Sequence, residues 1–167
     1  NSYSLGGNTE YWDFPPVTHT FITTGVWGTA SNWNYGILPS STDHILVNPG
    51  VTLTINGDRT INDIDVDGTI AVAGNTLTIN GSSDIDGAIT ISSGSVDANG
   101  PFDASSGSIT ITGTGNLQLG AAVTSLGTIS SDNGTVTYDA DGAQTIVADT
   151  YNILMAEGSG TKTFSGD

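Results

Sequence analysis

Residues 51–138 read VTLTINGDRTINDIDVDGTIAVAGNTLTINGSSDIDGAITISSGSVDANGPFDASSGSITITGTGNLQLGAAVTSLGTISSDNGTVTY. Short apolar pairs, with one residue between the two members, recur in this segment at a nearly constant interval. The first fragment covers residues 51–55, and pairs then begin at Ile70, Ile89 and Ile109, with Ile129 continuing the series; the steps from Ile70 are 19, 20 and 20 positions. Apolar residues that alternate with polar ones predict short strands, each of which buries one face.

Two further series of apolar residues keep step with the first. Three short strands in each repeat of about 20 residues, separated by Gly, Asn, Asp and Ser, predict an all-β fold, the three-faced parallel β-solenoid or β-helix. In that fold each strand pairs with its counterparts in the coils above and below, and Ile, Leu and Val stack inside. An antiparallel β-sandwich is the alternative, but it has no reason to keep one period. The second series is Leu77, Ile79, Val96, Leu117, Leu119, Val136 and Tyr138, and the third is Ile64, Val66, Ile85, Phe102, Val123 and Ile146.

The chain divides into four segments by composition. All three Trp lie in the first 33 residues, so the beginning differs from the coils that follow. Residues 1–24 are predicted to be an extended, irregular N-terminal arm or cap, and residues 25–50 a Trp-rich entry segment. Residues 51–138 are predicted to be the solenoid coils, and residues 139–167 a less regular C-terminal strand unit.

The charge is strongly one-sided. Seventeen acidic residues stand against Arg59 and Lys162, which gives a net charge of −15. Such a surface repels nucleic acid and anionic lipid, and no apolar run approaches the length of a membrane span. Residues 1–4 lack the basic-then-apolar layout of a signal peptide. Little Lys with much Thr, Ser, Gly and Asn is typical of extracellular β-proteins, so we expect a mature secreted chain.

Two stretches of the chain carry recognisable motifs. Residues 25–50 read GVWGTASNWNYGILPSSTDHILVNPG, and residues 134–167 contain GTVTYDADGAQTI, TYNIL and GSGTKTFSGD. The Gly-x-Trp, Ser-Asn-Trp and Gly-x-x-Pro elements, with the Gly-Ala-Gln-Thr-Ile and Gly-Thr-Lys-Thr elements, resemble the opening and closing units of β-helical secreted surface and adhesin-like proteins of the Bacteroidota. The resemblance implies a β-helical fold and a surface location, and it assigns no catalytic residue.

Five carboxylates form the candidate metal site. Residues 63–68 read DIDVDG, which matches the start of a calcium loop, but Gly74 stands where an EF-hand has its bidentate Glu. Alternation instead places the carboxylates outward, in two groups about one coil apart. Carboxylates stacked at the ~4.8 Å strand spacing repel each other, so a hydrated Ca²⁺ between them would be favourable. Solvated corner residues are the alternative. The candidate ligands are Asp63, Asp65, Asp67, Asp84 and Asp86.

An enzyme is the less favoured interpretation. Parallel β-helices include polysaccharide lyases and hydrolases, but Arg59 and Lys162 lie too far apart in sequence to suggest a site for an acidic sugar. The same carboxylates are available to a hydrolase, yet no aromatic platform for sugar accompanies them. His19 and His44 have no His or Cys partner at metal-ligand spacing. We therefore expect no catalytic residues and no required cofactor.

Thr-x-Thr pairs suggest a further alternative, since flat Thr ladders are how several ice-binding solenoids look. The pairs are divided between two strand series and are interrupted by Thr69/Ala71 and Thr90/Ser92. The sequence therefore disfavours an unbroken Thr face. The pairs are Thr52/Thr54, Thr76/Thr78, Thr110/Thr112 and Thr135/Thr137.

The two ends of the chain predict self-association. A solenoid ends in exposed backbone donors and acceptors over an apolar core, and the last unit shows no capping helix or charged block. Head-to-tail contact between different surfaces gives filaments. We therefore expect a structural or adhesive homopolymer in a surface fibre, in which residues 1–24 are donated as a strand or fold back as a cap. A carbohydrate-active enzyme and a module that binds surface glycans or ice are the alternatives. The expected anchors are Tyr11, Trp12, Phe14, Val17, Phe21 and Ile22.

Overall fold

The computed structural model describes residues 16–166, whose regular structure is almost entirely β. One turn of 3₁₀ helix covers Ala30–Asn32. The strands are β1 (Thr18–Phe21), β2 (Gly25–Val26), β3 (His44–Val47), β4 (Thr52–Ile55), β5 (Arg59–Ile61), β6 (Asp63–Val66), β7 (Thr69–Val72), β8 (Thr76–Ile79), β9 (Ser83–Ile85), β10 (Ala88–Ile91), β11 (Ser95–Ala98), β12 (Phe102–Asp103), β13 (Ser108–Ile111), β14 (Asn116–Leu119), β15 (Val123–Ser125), β16 (Thr128–Ser130), β17 (Thr135–Tyr138), β18 (Gln144–Ile146), β19 (Ile153–Ala156) and β20 (Lys162–Phe164).

Most strands belong to three six-stranded sheets, and each coil from β3–β5 to β15–β17 contributes one strand to each sheet. Sheet A has the order β1-β3-β6-β9-β12-β15, and sheet B has the order β2-β4-β7-β10-β13-β16. Sheet C has the order β5-β8-β11-β14-β17-β19. All pairs in these sheets are parallel, for example Ile89 with Ile70 on one side and Ile109 on the other. The structure therefore confirms the three-faced parallel β-solenoid, which extends on both sides of residues 51–138.

The core is a set of apolar columns along the solenoid axis. Most strands alternate half-buried and buried residues, as in Ala88–Ile91, because one side of each strand faces inward. Ile70, Ile89 and Ile109 stack in adjacent coils and are at most 1% exposed. This is the arrangement that the 19- and 20-residue steps predict, and it accounts for the absence of any regular helix from the coils.

The Trp-rich entry segment closes the core at the N-terminal end. Trp27, Trp33 and Phe21 are each at most 2% exposed. The Trp33 ring packs edge-on against Phe21 and Trp27, with centroid distances of 4.9 and 5.0 Å. Trp33 Nε1 donates a 2.9 Å hydrogen bond to the Trp27 carbonyl oxygen, so the buried indole N–H is satisfied. Phe21, Trp27 and Trp33 thus cover the N-terminal end of the core.

Glycines stack where sheet A turns into sheet B. Gly68, Gly87 and Gly107 occupy this corner in successive coils, and the backbones of the coils touch there. A Cβ at Gly87 would collide with the carbonyl oxygen of Gly68. The corner therefore requires a residue without a side chain, because the neighbouring backbone leaves no space.

Sheets A and B end at β15 and β16, whereas sheet C continues to β19. Sequence periodicity assigned Ile146 to the third apolar series, but β18 pairs with β20 in a separate two-stranded sheet. The Gln144 side chain spans the break: its Nε2 donates to the carbonyl oxygens of Leu119 and Ala121, both at 2.7 Å. Its Oε1 accepts a 3.2 Å bond from the Ala140 N–H. A side-chain amide thus replaces part of the strand pairing in the last coil. Within residues 16–166, no helix has the length and apolar character needed to cross a membrane.

Candidate functional site

The outward face of sheet A carries a row of carboxylates that we call the acidic column, Asp65, Asp84 and Asp103. Asp65 pairs with Asp84 in the next coil, and Asp84 pairs with Asp103 in the coil after that. The residues that flank Asp65, Ile64 and Val66, are 2% and 0% exposed, which confirms the predicted alternation. The three carboxylates therefore stand side by side at the strand spacing of ~4.8 Å.

Within the acidic column, the pKa values of Asp65 and Asp84 are raised. Partial burial, followed by the charges of Asp67, Asp84 and Asp86, raises the pKa of Asp65. Partial burial and the charges of Asp86, Asp103 and Asp67 likewise raise the pKa of Asp84. Because the folded-state pKa is raised, these groups stabilise the fold at low pH, and that contribution is lost as the pH rises through the raised pKa. At neutral pH the ionised carboxylates of the column repel one another, and a bound cation would reduce this repulsion.

Asp63 stands apart from the acidic column, although the sequence grouped it with the metal candidates. Its Oδ2 lies 2.6 Å from His44 Nδ1 and accepts a 2.9 Å bond from Asn62 Nδ2. Its Oδ1 accepts bonds from the Ser82 N–H at 2.6 Å and from Ser82 Oγ at 3.0 Å. Both oxygens are thus occupied by protein donors. Asp63 therefore links the coils that contain β3, β6 and β9 through its contacts with His44 and Ser82.

Sequence reasoning did not identify Asp103 as a member of the column. Periodicity had placed Phe102 in the third apolar series. Alternation then places the next residue, Asp103, outward on the same sheet, and this was the signal that could have identified it. Asp103 Oδ1 accepts bonds from the Ser105 N–H at 2.9 Å and from Ser105 Oγ at 2.5 Å. Among residues 16–166, no three His, Cys, Asp or Glu side chains converge on a common point for a metal ion. A cation at the column would therefore be hydrated, because the carboxylates stand in a row.

The two histidines lie on adjacent strands but point to opposite sides. His19 is 2% exposed, with its Nε2 3.4 Å from Asp43 Oδ2. Its ring packs edge-on against Trp33 and Tyr35, at centroid distances of 6.3 and 5.5 Å. His44 points outward to Asp63 on sheet A. The two imidazoles cannot share a ligand, and His19 is part of the packing at the N-terminal end.

Sheet B carries a neutral outer surface, which we call the hydroxyl face. No strand of sheet B contains a charged residue, whereas sheets A and C both do. The sequence paired Thr90 with Ser92, but the outward neighbour of Thr90 is Ala88. The Thr-x-Thr pairs of β8 and β17 belong to sheet C, as their separate series predicted. The outward residues of β4, β7, β10, β13 and β16 are Thr52, Thr54, Thr69, Ala71, Ala88, Thr90, Ser108, Thr110, Thr128 and Ser130.

Hydroxyl groups on sheets B and C have different partners. On sheet C, Ser95 Oγ donates to Gln118 Oε1 at 2.9 Å, and Thr137 Oγ1 donates to Asn116 Oδ1 at 3.2 Å. On the hydroxyl face, Ser130 Oγ donates a 3.4 Å hydrogen bond to Asp132 Oδ1. Among the described residues, no other side chain of this face has a hydrogen-bond partner in the protein. The Thr hydroxyls of this face are therefore available to water or to a neutral ligand.

The predicted interface residues have different environments. Tyr11, Trp12 and Phe14 lie outside the residues that the structure describes. β1 pairs with β3 of the same chain, so residues 18–21 form the first strand of the chain's own sheet A. Phe21 is fully buried in this first coil, whereas Val17 and Ile22 are 38% and 45% exposed.

Exposed large apolar side chains concentrate at the two ends of the solenoid. Within the described part of the chain, all of them belong to the first or the last coil, and residues 39–152 contribute none. The coils between the first and the last therefore expose no large apolar side chain, and Ile153 and Met155 lie on the outward side of β19, because Leu154 pairs with the buried Val136. The residues are Val17, Ile22, Val26, Tyr35, Ile37 and Leu38 at the N-terminal end, and Ile153, Met155 and Phe164 at the C-terminal end.

Comparisons with known protein families, with curated proteins and with solved structures gave no match to this chain. The resemblance to Bacteroidota surface proteins stays a prediction from the motifs. The function is therefore inferred from the faces and ends of the solenoid itself.

Proposed function

We propose that this chain is an extracellular structural or adhesive protein that associates head to tail with copies of itself into a surface fibre, its N-terminal segment contributing a strand to the next copy. The observation that carries the proposal is the open C-terminal end of the core. Phe164 is the partner of Ile146 in the β18–β20 pair, so both side chains lie on the same side of that sheet. Ile146 is 2% exposed, but Phe164 is 48% exposed, and no strand of residues 16–166 lies beyond β20.

Charge and strand direction both favour contact through the ends. A net charge of −15 opposes side-by-side association of the acidic faces. All strands of sheets A, B and C run parallel, so one end presents β1, β2 and β5 and the other presents β15, β16 and β19. Contact between two different ends is heterologous and does not close on itself. Such contact extends the sheets from copy to copy as a fibre.

The size distribution of the purified chain tests this proposal. The mass in sedimentation is expected to rise with concentration in steps of 17.0 kDa. Phe164→Asp should weaken the association at least about tenfold, because stacking would bury an unpaired charge. Thr163→Asp is the matched control, since Thr163 adjoins Phe164 on the opposite, solvent-exposed side of β20. An intact chain that stays at 17.0 kDa at every concentration contradicts the proposal.

We also propose that the acidic column binds a hydrated Ca²⁺, which its raised pKa values and carboxylate oxygens support. Calcium at about ten times its Kd should stabilise the fold by about 1.4 kcal/mol, or raise the melting temperature by about 3–6 °C. Asp84→Asn should remove this dependence and melt slightly higher than the wild type in chelator, because it removes like-charge repulsion. Asp141→Asn, outside the column, should keep the dependence. Identical wild-type melting curves with calcium and with chelator would show that the acidic column is a row of solvated carboxylates that binds no Ca²⁺.

A further inference from the structure

Four Asn-Gly pairs lie between strands of the solenoid, at residues 56–57, 80–81, 99–100 and 133–134. In this dipeptide the backbone nitrogen of Gly can attack the side-chain amide of the preceding Asn, because no Cβ on the Gly hinders the approach. All four Asn residues are exposed. In a folded chain the reaction is fastest where neither the Gly nitrogen nor the Asn side chain is held by a hydrogen bond.

Two of the pairs occupy the same corner in adjacent coils, residues 80–81 after β8 and residues 99–100 after β11. At the first of these corners, the N–H groups of three consecutive residues, 80–82, donate to the same corner one coil earlier at 2.6–3.0 Å. The Gly81 N–H is one of them, and its bond to the Asn62 carbonyl oxygen is 2.7 Å long. The attacking nitrogen is therefore fixed at this corner.

The second corner is held by a single backbone bond. The Asn99 N–H donates to the Ile79 carbonyl oxygen at 2.8 Å, and Pro101 has no N–H to donate. Among the described residues, no acceptor takes the Gly100 N–H and no donor bonds to Asn99 Oδ1. The side-chain nitrogen of Asn99 lies 3.5 Å from Asp97 Oδ2, a distance at the limit of a hydrogen bond. Both reacting groups are therefore free to move toward each other.

The other two pairs are each restrained at one of the two reacting groups. Asn56 Oδ1 accepts a 3.1 Å hydrogen bond from the Gly28 N–H, which fixes the Asn side chain. The Gly134 N–H donates to the Ser131 carbonyl oxygen at 3.3 Å within its own turn, which fixes the Gly nitrogen. The pair that begins at Asn99 thus differs from the other three in the freedom of both groups.

We propose that Asn99 is a site of spontaneous covalent modification, at which the fold permits deamidation through a cyclic imide. The Gly100 nitrogen loses its proton to solvent base and attacks Asn99 Cγ, so that a new C–N bond forms. The side-chain NH₂ group takes up a proton and leaves as ammonia. Water then opens the imide. Hydrolysis of the new C–N bond gives Asp, and hydrolysis of the original peptide bond gives isoaspartate. The reaction consumes only water.

Both products change the corner at which they form. Each adds a negative charge close to Asp97, in a chain whose net charge is already −15. Isoaspartate also inserts a methylene group into the backbone where two coils touch, since a Cβ at Gly100 would collide with the Gly81 carbonyl oxygen. Water does not restore the amide. Weakened contact between these two coils therefore accumulates with the age of the protein.

Peptide mapping by mass spectrometry tests the site in the folded, full-length protein aged in mildly alkaline buffer. Deamidation is expected to be at least about fivefold faster at Asn99 than at Asn80, which is the factor that one backbone hydrogen bond contributes. Asn99→Gln is the control variant, because its longer side chain disfavours the ring. This variant should give no product at position 99 and should keep the wild-type melting temperature, since Asn99 is exposed.

Two further measurements test the physical reason for the selectivity. The Gly100 amide should exchange its hydrogen faster than the Gly81 amide, which is bonded. In urea, where all four pairs are unfolded, their rates should become similar because each is the same dipeptide. In the folded protein, deamidation at any other Asn-Gly pair that equals that at Asn99 overturns the proposal. A preference for Asn99 that persists in urea, or equal exchange of the two amides, overturns it as well.

Discussion

Ile109→Asp is expected to lower the free energy of unfolding by about 5 kcal/mol or more. Ile109 is fully buried between Ile89 and Ile129 in the sheet B column. Removing it forfeits about 1.5–3 kcal/mol of apolar burial, and the new carboxylate is buried without a partner, which costs several kcal/mol more. Typical domains are stable by only about 5–15 kcal/mol. Urea denaturation, followed by fluorescence of the buried Trp27 and Trp33, measures the loss.

The adjacent residue provides the control for this substitution. Thr110→Asp adds the same charge one position along the chain, where the side chain is exposed on the hydroxyl face. Its effect should stay within about 0.5 kcal/mol, as for most surface substitutions. If Ile109→Asp melts close to the wild type, or if both variants lose equal stability, the inward and outward assignment of β13 is wrong.

Gly87→Ala is expected to cost about 3 kcal/mol, or about 6–12 °C in melting temperature. The new methyl group would collide with the carbonyl oxygen of Gly68. That oxygen accepts the Ala88 N–H at 2.8 Å, so the two coils cannot separate without breaking a hydrogen bond between them. A backbone atom cannot rotate aside as a flexible side chain can. The clash is therefore relieved only by moving a whole corner.

Gly142→Ala is the matched control for the corner. Gly142 has open space at its Cβ position and no positive φ, so an added methyl group is neutral or slightly stabilising there. Differential scanning calorimetry of the two variants compares them directly. Equal melting temperatures would show that the coils at Gly87 can move apart without cost.

The core was predictable from the sequence because two independent patterns agree on it. Alternation shows which residues of a strand point inward, and the step of 19 or 20 positions shows which strands stack. Ile70, Ile89 and Ile109 satisfy both patterns, and a slip of one residue would expose all of them. The same logic placed Asp65 outward and one coil from Asp84, as the structure confirms.

The outer faces were less predictable, because no burial requirement selects among polar residues. The sequence paired Thr90 with Ser92, but β10 ends at Ile91, so Ala88 is the outward neighbour of Thr90 within the strand. Asp103 was missed for the same reason. It is a single Asp after Phe102 and is not part of an Asp-x-Asp motif like those at Asp65 and Asp84. The bonding of Asp63 to His44 depends on which side chains meet across coils, which periodicity does not contain.

The in-register parallel stacking also determines how the molecule unfolds under a mechanical force along the solenoid axis. Each coil touches only the coils directly above and below it, so tension on the chain ends along the axis is borne by one inter-coil boundary at a time. A terminal coil can peel away while the remainder stays folded. Each repeat of about 20 residues then releases up to about 70 Å of extended chain. A tether built from such coils lengthens in discrete steps and dissipates work at each step before it breaks.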